Sequence, residues 1–387
     1  MPFTGKSTFS AAADLPEIME DVSDIVSVVS PFETPLLDAL GDPSRSAFST
    51  IHEWVEDELL PNSDLLNQTT FTPTATTATS LTVTNGVRFR KDDLIRPVGS
   101  REVMLITAVA GNGITVQRSY GGSIAFSLVN ATRLLIIASP GGEGDDKPDS
   151  RFTNRSRKRN YTQIFTAAVE VSGSMLATRG FGVRDEMDFQ KQQRTRELLR
   201  DLENSVINGA APSANPQGTS AVKRSMGGIL SLISTNNFQP NSGAIPAGGG
   251  VGTDLNESVL NSALRVIWEN SSASVDLIVC GAAMKRRINA FGSASRRTVM
   301  REDLYSDLVN IYESDFGLCK VLMSRFLPSD TVMLIDSSRV EVLPLAGRSF
   351  GYKKLAVTGD RDAGQIIGEY TMELRNEAAH GVIRSLT

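Results

Sequence analysis

Residues 183–208 read VRDEMDFQKQQRTRELLRDLENSVIN, twenty-six positions without glycine or proline. Charges of opposite sign fall three apart, Asp188 with Lys191, Arg194 with Glu197 and Arg200 with Glu203, the spacing at which side chains on one helical face meet. Met187, Leu198, Leu202 and Val206 form one narrow apolar stripe. Gly209, with Pro212 just beyond, supplies a stop signal. The pattern predicts a single helix of about 39 Å at about 1.5 Å per residue. So charged a helix, burying so thin a stripe, suits a strut running along a subunit rather than the centre of a core.

Immediately before the strut, Tyr161 to Val171 reads as a strand. It is preceded by Arg151, Arg155, Arg157, Lys158 and Arg159, five positive charges with no acid between them. Further upstream, Phe48 to Asp57 alternates as a second strand, with Ile51, Glu53, Val55 and Asp57 on one face. Between these two segments lies Thr69 to Thr84, nine threonines in sixteen residues, a composition that favours extended chain. Short apolar runs follow at Leu94-Ile95, Val103 to Val109, Ile114 to Val116 and Leu134 to Ile137, punctuated by Gly111-Asn112-Gly113 and closed by Pro140-Gly141-Gly142. Strands this short, at this spacing, predict a small all-β module of about 70 residues, inserted in a long hairpin.

At the N-terminal end, Met1 to Phe48 carries eight acidic residues against Lys6 and Arg45, a net charge of −6. Asp14 can cap a short amphipathic helix bearing Ile18, Val22, Ile25, Val26 and Val29, and a second short turn carries Leu36, Leu37 and Leu40. Two readings fit: an arm that docks on another molecule, or a helical hairpin packed on its own domain.

Downstream of the strut the chain turns αβ. Asp254 and Glu257 resemble a capping box opening a helix with Val259, Leu260, Leu264, Ile267 and Trp268. A strand at Val275 to Cys280 and a helix from Ala282 to Phe291 follow. Strands are then expected at Val309 to Glu313, Cys319 to Phe326, Thr331 to Asp336, Val340 to Leu343, Lys354 to Thr358, Gln365 to Arg375 and Val382 to Ser385.

Composition narrows the function classes. A chain of 387 residues, 40% hydrophobic and 21% charged, is globular, and its length suggests two to three domains at about 150 residues each. Lys and Arg number 39 against 44 Asp and Glu, so a net charge of −5 excludes a protein built chiefly to grip nucleic acid. Cys280 and Cys319 read as two buried thiols of a reducing compartment. The first residues lack the basic and apolar regions of a signal peptide, and the longest uncharged stretch, Ser225 to Thr253, is broken by Pro240, Pro246 and glycines, so no membrane segment is expected.

Motifs of catalysis are missing. Gly5-Lys6-Ser7-Thr8 copies only the end of a phosphate-binding loop, without the upstream glycine or strand, and Gly248 to Gly252 lacks dinucleotide-binding spacing. Asp360-Arg361-Asp362 has Thr371 where a calcium loop needs glutamate. His52 and His380, the only histidines, are not spaced as metal ligands and belong to no triad signature. Catalytic residues, cofactors and metal ligands are each expected to be none.

Three further segments stand out: Ile51-His52-Glu53-Trp54-Val55-Glu56-Asp57, Gly227-Gly228-Ile229-Leu230, and the run from Gly368-Glu369-Tyr370 through Glu377-Ala378-Ala379-His380-Gly381. Together with the order of acidic arm, long hairpin, strut helix, αβ domain and returning strand, they resemble the major capsid (major head) proteins of tailed bacteriophages, which have an α+β, HK-97-like fold shared with herpesvirus capsid floors and encapsulin shells. The same segments resemble the group in which a β domain is inserted in the extended loop.

The resemblance implies an N-terminal arm at 1–48 and an extended loop at 49–172 with the inserted domain at about 70–140. It implies a peripheral domain at 173–224 and 341–387, with a spine helix at 183–208, and an axial domain at 225–340. It further implies a non-enzymatic structural subunit that self-assembles, through pentamers and hexamers, into an icosahedral or prolate head enclosing double-stranded DNA without sequence-specific binding. Scaffold and portal proteins are the implied partners, with a decoration protein as a further one. The setting is the virion capsid, assembled in the host cytoplasm. An encapsulin shell around protein cargo, or a carbohydrate-binding or carbohydrate-active protein, are the alternatives.

Candidate inter-subunit contacts are Arg151, Arg155, Arg157, Lys158 and Arg159, paired with carboxylates of an adjacent subunit, those of the N-terminal arm or Glu56, Asp57 and Glu58; packaged DNA is the alternative partner of the basic cluster, less favoured in a subunit of net charge −5. The arm is expected to pack mainly on neighbours, so that the remainder folds without residues 1–40.

Overall fold

The computed structural model describes residues 33–43, 45–144, 152–178, 185–246, 249, 254–291, 311–356 and 359–386. Two compact units divide the chain, one formed by 1–54 with 157–387 and the other by 55–156.

The first described element of the larger unit is a short helix, α1 (Pro35–Leu40), and strand β1 (Ile51–Glu56) follows, its last two residues falling in the smaller unit. The smaller unit holds β2 (Ser63–Leu65), β3 (Ser80–Thr82), β4 (Leu94–Pro97), β5 (Met104–Ala110), β6 (Gly113–Gln117) and β7 (Arg133–Ala138). These six form one antiparallel sheet in the order β2-β7-β4-β5-β6-β3. Leu81, Ile95, Met104, Ile106, Ile114, Val116 and Leu134 cover one face of it as a buried core. A buried ion pair ties the turn before β5 to the chain leaving β6: Glu102, fully buried, receives Arg118 at 2.7 Å and the amides of Ser119 and Phe126. The threonine-rich stretch departs from the extended reading. Only Ser80–Thr82 is strand, because Thr74 turns the chain back on itself, its hydroxyl 3.0 Å from that of Thr76 and 2.7 Å from that of Thr77.

Back in the larger unit, β8 (Ser156–Tyr161) pairs with β1, and β9 (Gln163–Ser172) leads through α2 (Gly173–Ala177) to α3 (Glu186–Asn208). Asp185 caps α3 by accepting the amides of Met187 and Asp188. Met187, Leu198, Leu202 and Val206 are buried as the stripe requires, joined by Ile207. Asp188 meets Lys191 at 2.8 Å and Arg194 meets Glu197 at 2.6 Å. The third expected pair is absent: Arg200 lies 3.8 Å from Asp201, and Glu203 points into the core.

The helix ends against Gly228. A side chain there would lie 2.5 Å from the Gly209 nitrogen and 2.8 Å from the Ile207 oxygen, so only glycine permits this backbone crossing. Its amide donates to the Gly209 carbonyl at 2.8 Å, and α4 (Ile229–Leu232) follows.

Then come β10 (Asn237–Phe238), α5 (Glu257–Asn270), β11 (Leu277–Cys280), α6 (Ala282–Ala290), β12 (Ile311–Ser314), β13 (Gly317–Met323) and β14 (Val332–Ile335). The chain closes with β15 (Val340–Pro344), β16 (Gly351–Lys354), β17 (Arg361–Leu374) and β18 (Gly381–Ile383). A six-stranded mixed sheet runs β10-β18-β14-β11-β13-β12, and its central strands β11 and β14 are buried along their whole length, as their unbroken apolar runs demand. Strand β17 pairs with β15 and β16 on one side and, over ten residue pairs from Arg361–Ser172 to Tyr370–Gln163, with β9 on the other. One core joins α1, α3, β9 and β17; a second lies between α5, α6 and the six-stranded sheet.

Candidate assembly site

The hairpin β1–β8 is rooted on β17. Alternate residues of a strand share a face, so Glu369, Thr371 and Glu373 form a polar row along β17. Glu369 is buried and accepts from Thr162 Oγ1 at 2.6 Å, Arg224 at 2.5 Å and Arg348 at 2.9 Å. Thr371 donates to the carbonyl of Tyr161 at 3.2 Å. Glu373 lies 2.6 Å from His52 Nε2 and 2.9 Å from Arg45, and Arg45 also meets Glu341 at 2.8 Å. Burial alone would raise the Glu373 carboxyl, but hydrogen bonds from His52 and Arg45 outweigh it and hold the group below the usual carboxylate range. Asn160, the first buried residue of β8, donates to the carbonyls of Gly227 and Met372 at 2.9 and 2.8 Å and accepts from the Gly227 amide at 2.8 Å.

The arm is rooted separately. Glu203 of α3 is fully buried, and its Oε2 accepts the amides of Leu36 and Leu37 at 3.2 and 3.4 Å while Oε1 accepts from Ser324 at 3.2 Å. It thereby supplies the cap that Thr34, which makes no side-chain cap bond, does not. Burial pushes the Glu203 carboxyl up to about 7, against the pull of those donors. Leu36 sits in the same core as Leu202 and Val206. The expectation that residues 1–40 pack mainly on neighbours is therefore corrected for 33–40, which pack on their own subunit. The helix expected at Asp14 to Val29 lies outside the described residues.

The charged candidates of the hairpin divide into two sets. Arg155 lies 3.6 Å from Asp57, which also accepts from Thr153 Oγ1 at 3.0 Å, and Arg157 lies 3.3 Å from Glu53; these pairs are within one chain. Glu56 ends β1 half-buried. Glu58, Lys158 and Arg159 are exposed, and among the described residues none has an ion-pair partner. Arg151 lies outside the described residues. Glu203, which the helical spacing pairs with Arg200, and Glu369 and Glu373, which lie in the C-terminal run, are not among the contact residues expected from sequence. The only available signal was the period-two row Glu369-x-Thr371-x-Glu373.

Among the described residues no group of three or more His, Cys, Asp or Glu is placed to hold a metal ion, and no helix is long and apolar enough to cross a membrane. His380 is buried, with its pKa lowered to about 4 by desolvation, and accepts the Asp336 amide on Nδ1 at 3.3 Å.

The chain is similar in fold to the capsid of the native GTA particle, with a TM-score of 0.54 and 9% identity over 96% of each chain. Alignments also exist with Microbacterium phage Oxtober96 (12% identity, 94% of this chain and 96% of that one, TM-score 0.49) and the holo-SrpI encapsulin complex of Synechococcus elongatus (10%, 60% and 78%, 0.42). No curated protein matches. Spine helix, rooted hairpin and twin cores thus define an α+β subunit of the HK-97-like class, the class of capsid shells. The match to the family model described as SU10 major capsid protein extends over residues 2–387, and the chain belongs to that family. It is a structural subunit of a phage head, located in the virion capsid.

Proposed function

We propose that copies of this chain associate as pentamers and hexamers and close into an icosahedral or prolate head around double-stranded DNA, without catalysis and without reading DNA sequence. The observation that carries this reading is the family match over residues 2–387. A net charge of −5 is consistent with a wall that does not hold its DNA tightly. Scaffold and portal proteins act as partners during assembly in the host cytoplasm, and a decoration protein can be added outside. Residues 1–48 serve as the arm, 49–172 as the extended loop with its inserted domain, 173–224 and 341–387 as the peripheral domain, and 225–340 as the axial domain.

Between copies, the hairpin charges that remain unpaired are the available contacts. Lys158 and Arg159 meet carboxylates of a neighbour, while Arg155 and Arg157 stiffen the hairpin through Asp57 and Glu53. Each exposed pair contributes only about 0–1 kcal/mol, so the effect comes from repetition and weakens with salt. Expression of the full chain, alone and with a candidate scaffold protein, followed by sedimentation tests the proposal. Closed particles are expected, and their yield should fall on reversing Lys158 and Arg159 even without DNA. Normal empty particles with altered DNA retention alone would place these charges on the DNA side.

A further inference from the structure

The inserted module has a second face that its own core leaves bare. Leu134, Ile95 and Met104 point inward, so their neighbours along β7, β4 and β5 point outward. An antiparallel sheet with one covered face ordinarily presents polar side chains on the other. Here several of the outward residues, on these strands, on β2 and just past β4, are aliphatic: Leu65 is 41% exposed, Val98 54% and Ile137 47%, with Leu135 half-buried among them.

Cross-strand pairing sets Leu65 opposite Arg133 and Leu135 opposite Arg96, which places two guanidinium groups inside this aliphatic patch. Both arginines are exposed, and among the described residues neither has an ion-pair partner. The face therefore calls for a partner that brings a carboxylate and an aliphatic side chain together.

The same module carries such a segment. In Glu58-Leu59-Leu60, Leu59 is 92% exposed, and Glu58 is exposed with no ion-pair partner among the described residues, Asp57 beside it being held by Arg155. We propose that the outer sheet face of one copy receives Glu58–Leu60 of a second copy, with Glu58 between Arg96 and Arg133 and Leu59 on Leu65, Leu135 and Ile137. Acceptor and donor are different patches of one chain, so the contact is head-to-tail and propagates around a ring or across a shell instead of closing as a two-fold dimer. This rests on the capsid-subunit reading and adds to it the surface and its occupant.

Charge exchange in the full-length chain tests it. Arg96→Glu with Arg133→Glu, and Glu58→Arg alone, should each reduce the yield of closed particles at least tenfold, and the triple variant should recover most of it. Leu59→Asp, in a loop outside the sheet, should impair assembly equally and decides the matter if the double arginine variant fails to fold. Wild-type yield from the Glu58 and Leu59 variants overturns the proposal. So does impairment that the triple variant fails to reverse, since the arginines then face another acidic partner such as the arm. Absence of particles from the wild-type chain would instead remove the capsid reading beneath it.

Discussion

The carboxylate of Glu203, in the last turns of the spine helix, accepts the backbone amide of Leu36 at 3.2 Å across 167 residues of sequence. This buried contact fixes α1, at the end of the acidic arm, to the strut.

Because burial raises Glu203 to about 7 from an ordinary value of 4.5, the folded subunit binds a proton there more readily than the unfolded chain does. The associated stability is fully present below about pH 4.5 and is lost as pH rises through about 7. Glu203→Gln should flatten this part of the profile and raise the melting temperature at pH 8. Glu203→Leu leaves the Leu36 and Leu37 amides unsatisfied and should cost about 1–3 kcal/mol. Melting of the unassembled subunit between pH 5 and 8 checks both.

Truncation at residue 32 should preserve the fold, whereas truncation at 40 should not, because it removes the fully buried Leu36 together with the amides that Glu203 binds. Leu36→Ala alone should destabilise by about 2–5 kcal/mol, measured by urea unfolding.

Gly228→Ala forces a methyl group into the Gly209 and Ile207 backbone and should lower stability by about 1–3 kcal/mol or more. Gly141→Ala, with nothing within 4 Å of the added carbon, is the matched control and should leave the melting temperature unchanged.

Burial raises the Cys280 thiol to about 11 and raises that of Cys319 as well. Both should therefore resist a thiol reagent at pH 8 in the native subunit and react together on denaturation. Rapid modification of either in the folded state would contradict their placement in the second core.

What could be read from the sequence was local. Helix α3 announces itself by an uninterrupted helical pattern, and β11 followed by α6 by a buried apolar run and a change of period. Finer local detail failed where near-equivalent residues compete: Asn256, not Asp254, caps α5, its side chain accepting the Val259 amide at 2.8 Å. The roots of arm and hairpin were illegible for a different reason. Glu203 and Arg200 sit three apart like any surface pair, and only the distant amides of Leu36 and Leu37 turn one of them inward. Glu373 likewise takes its meaning from His52, 321 positions away. A buried carboxylate is defined by donors that the local sequence does not contain.

Electron microscopy of the purified full-length chain, in negative stain and with and without a candidate scaffold protein, tests the capsid account most directly. Closed shells, or rings of five and six subunits that close into them, are the predicted result. A monodisperse monomer at high concentration, forming no particles under any condition tried, would contradict it.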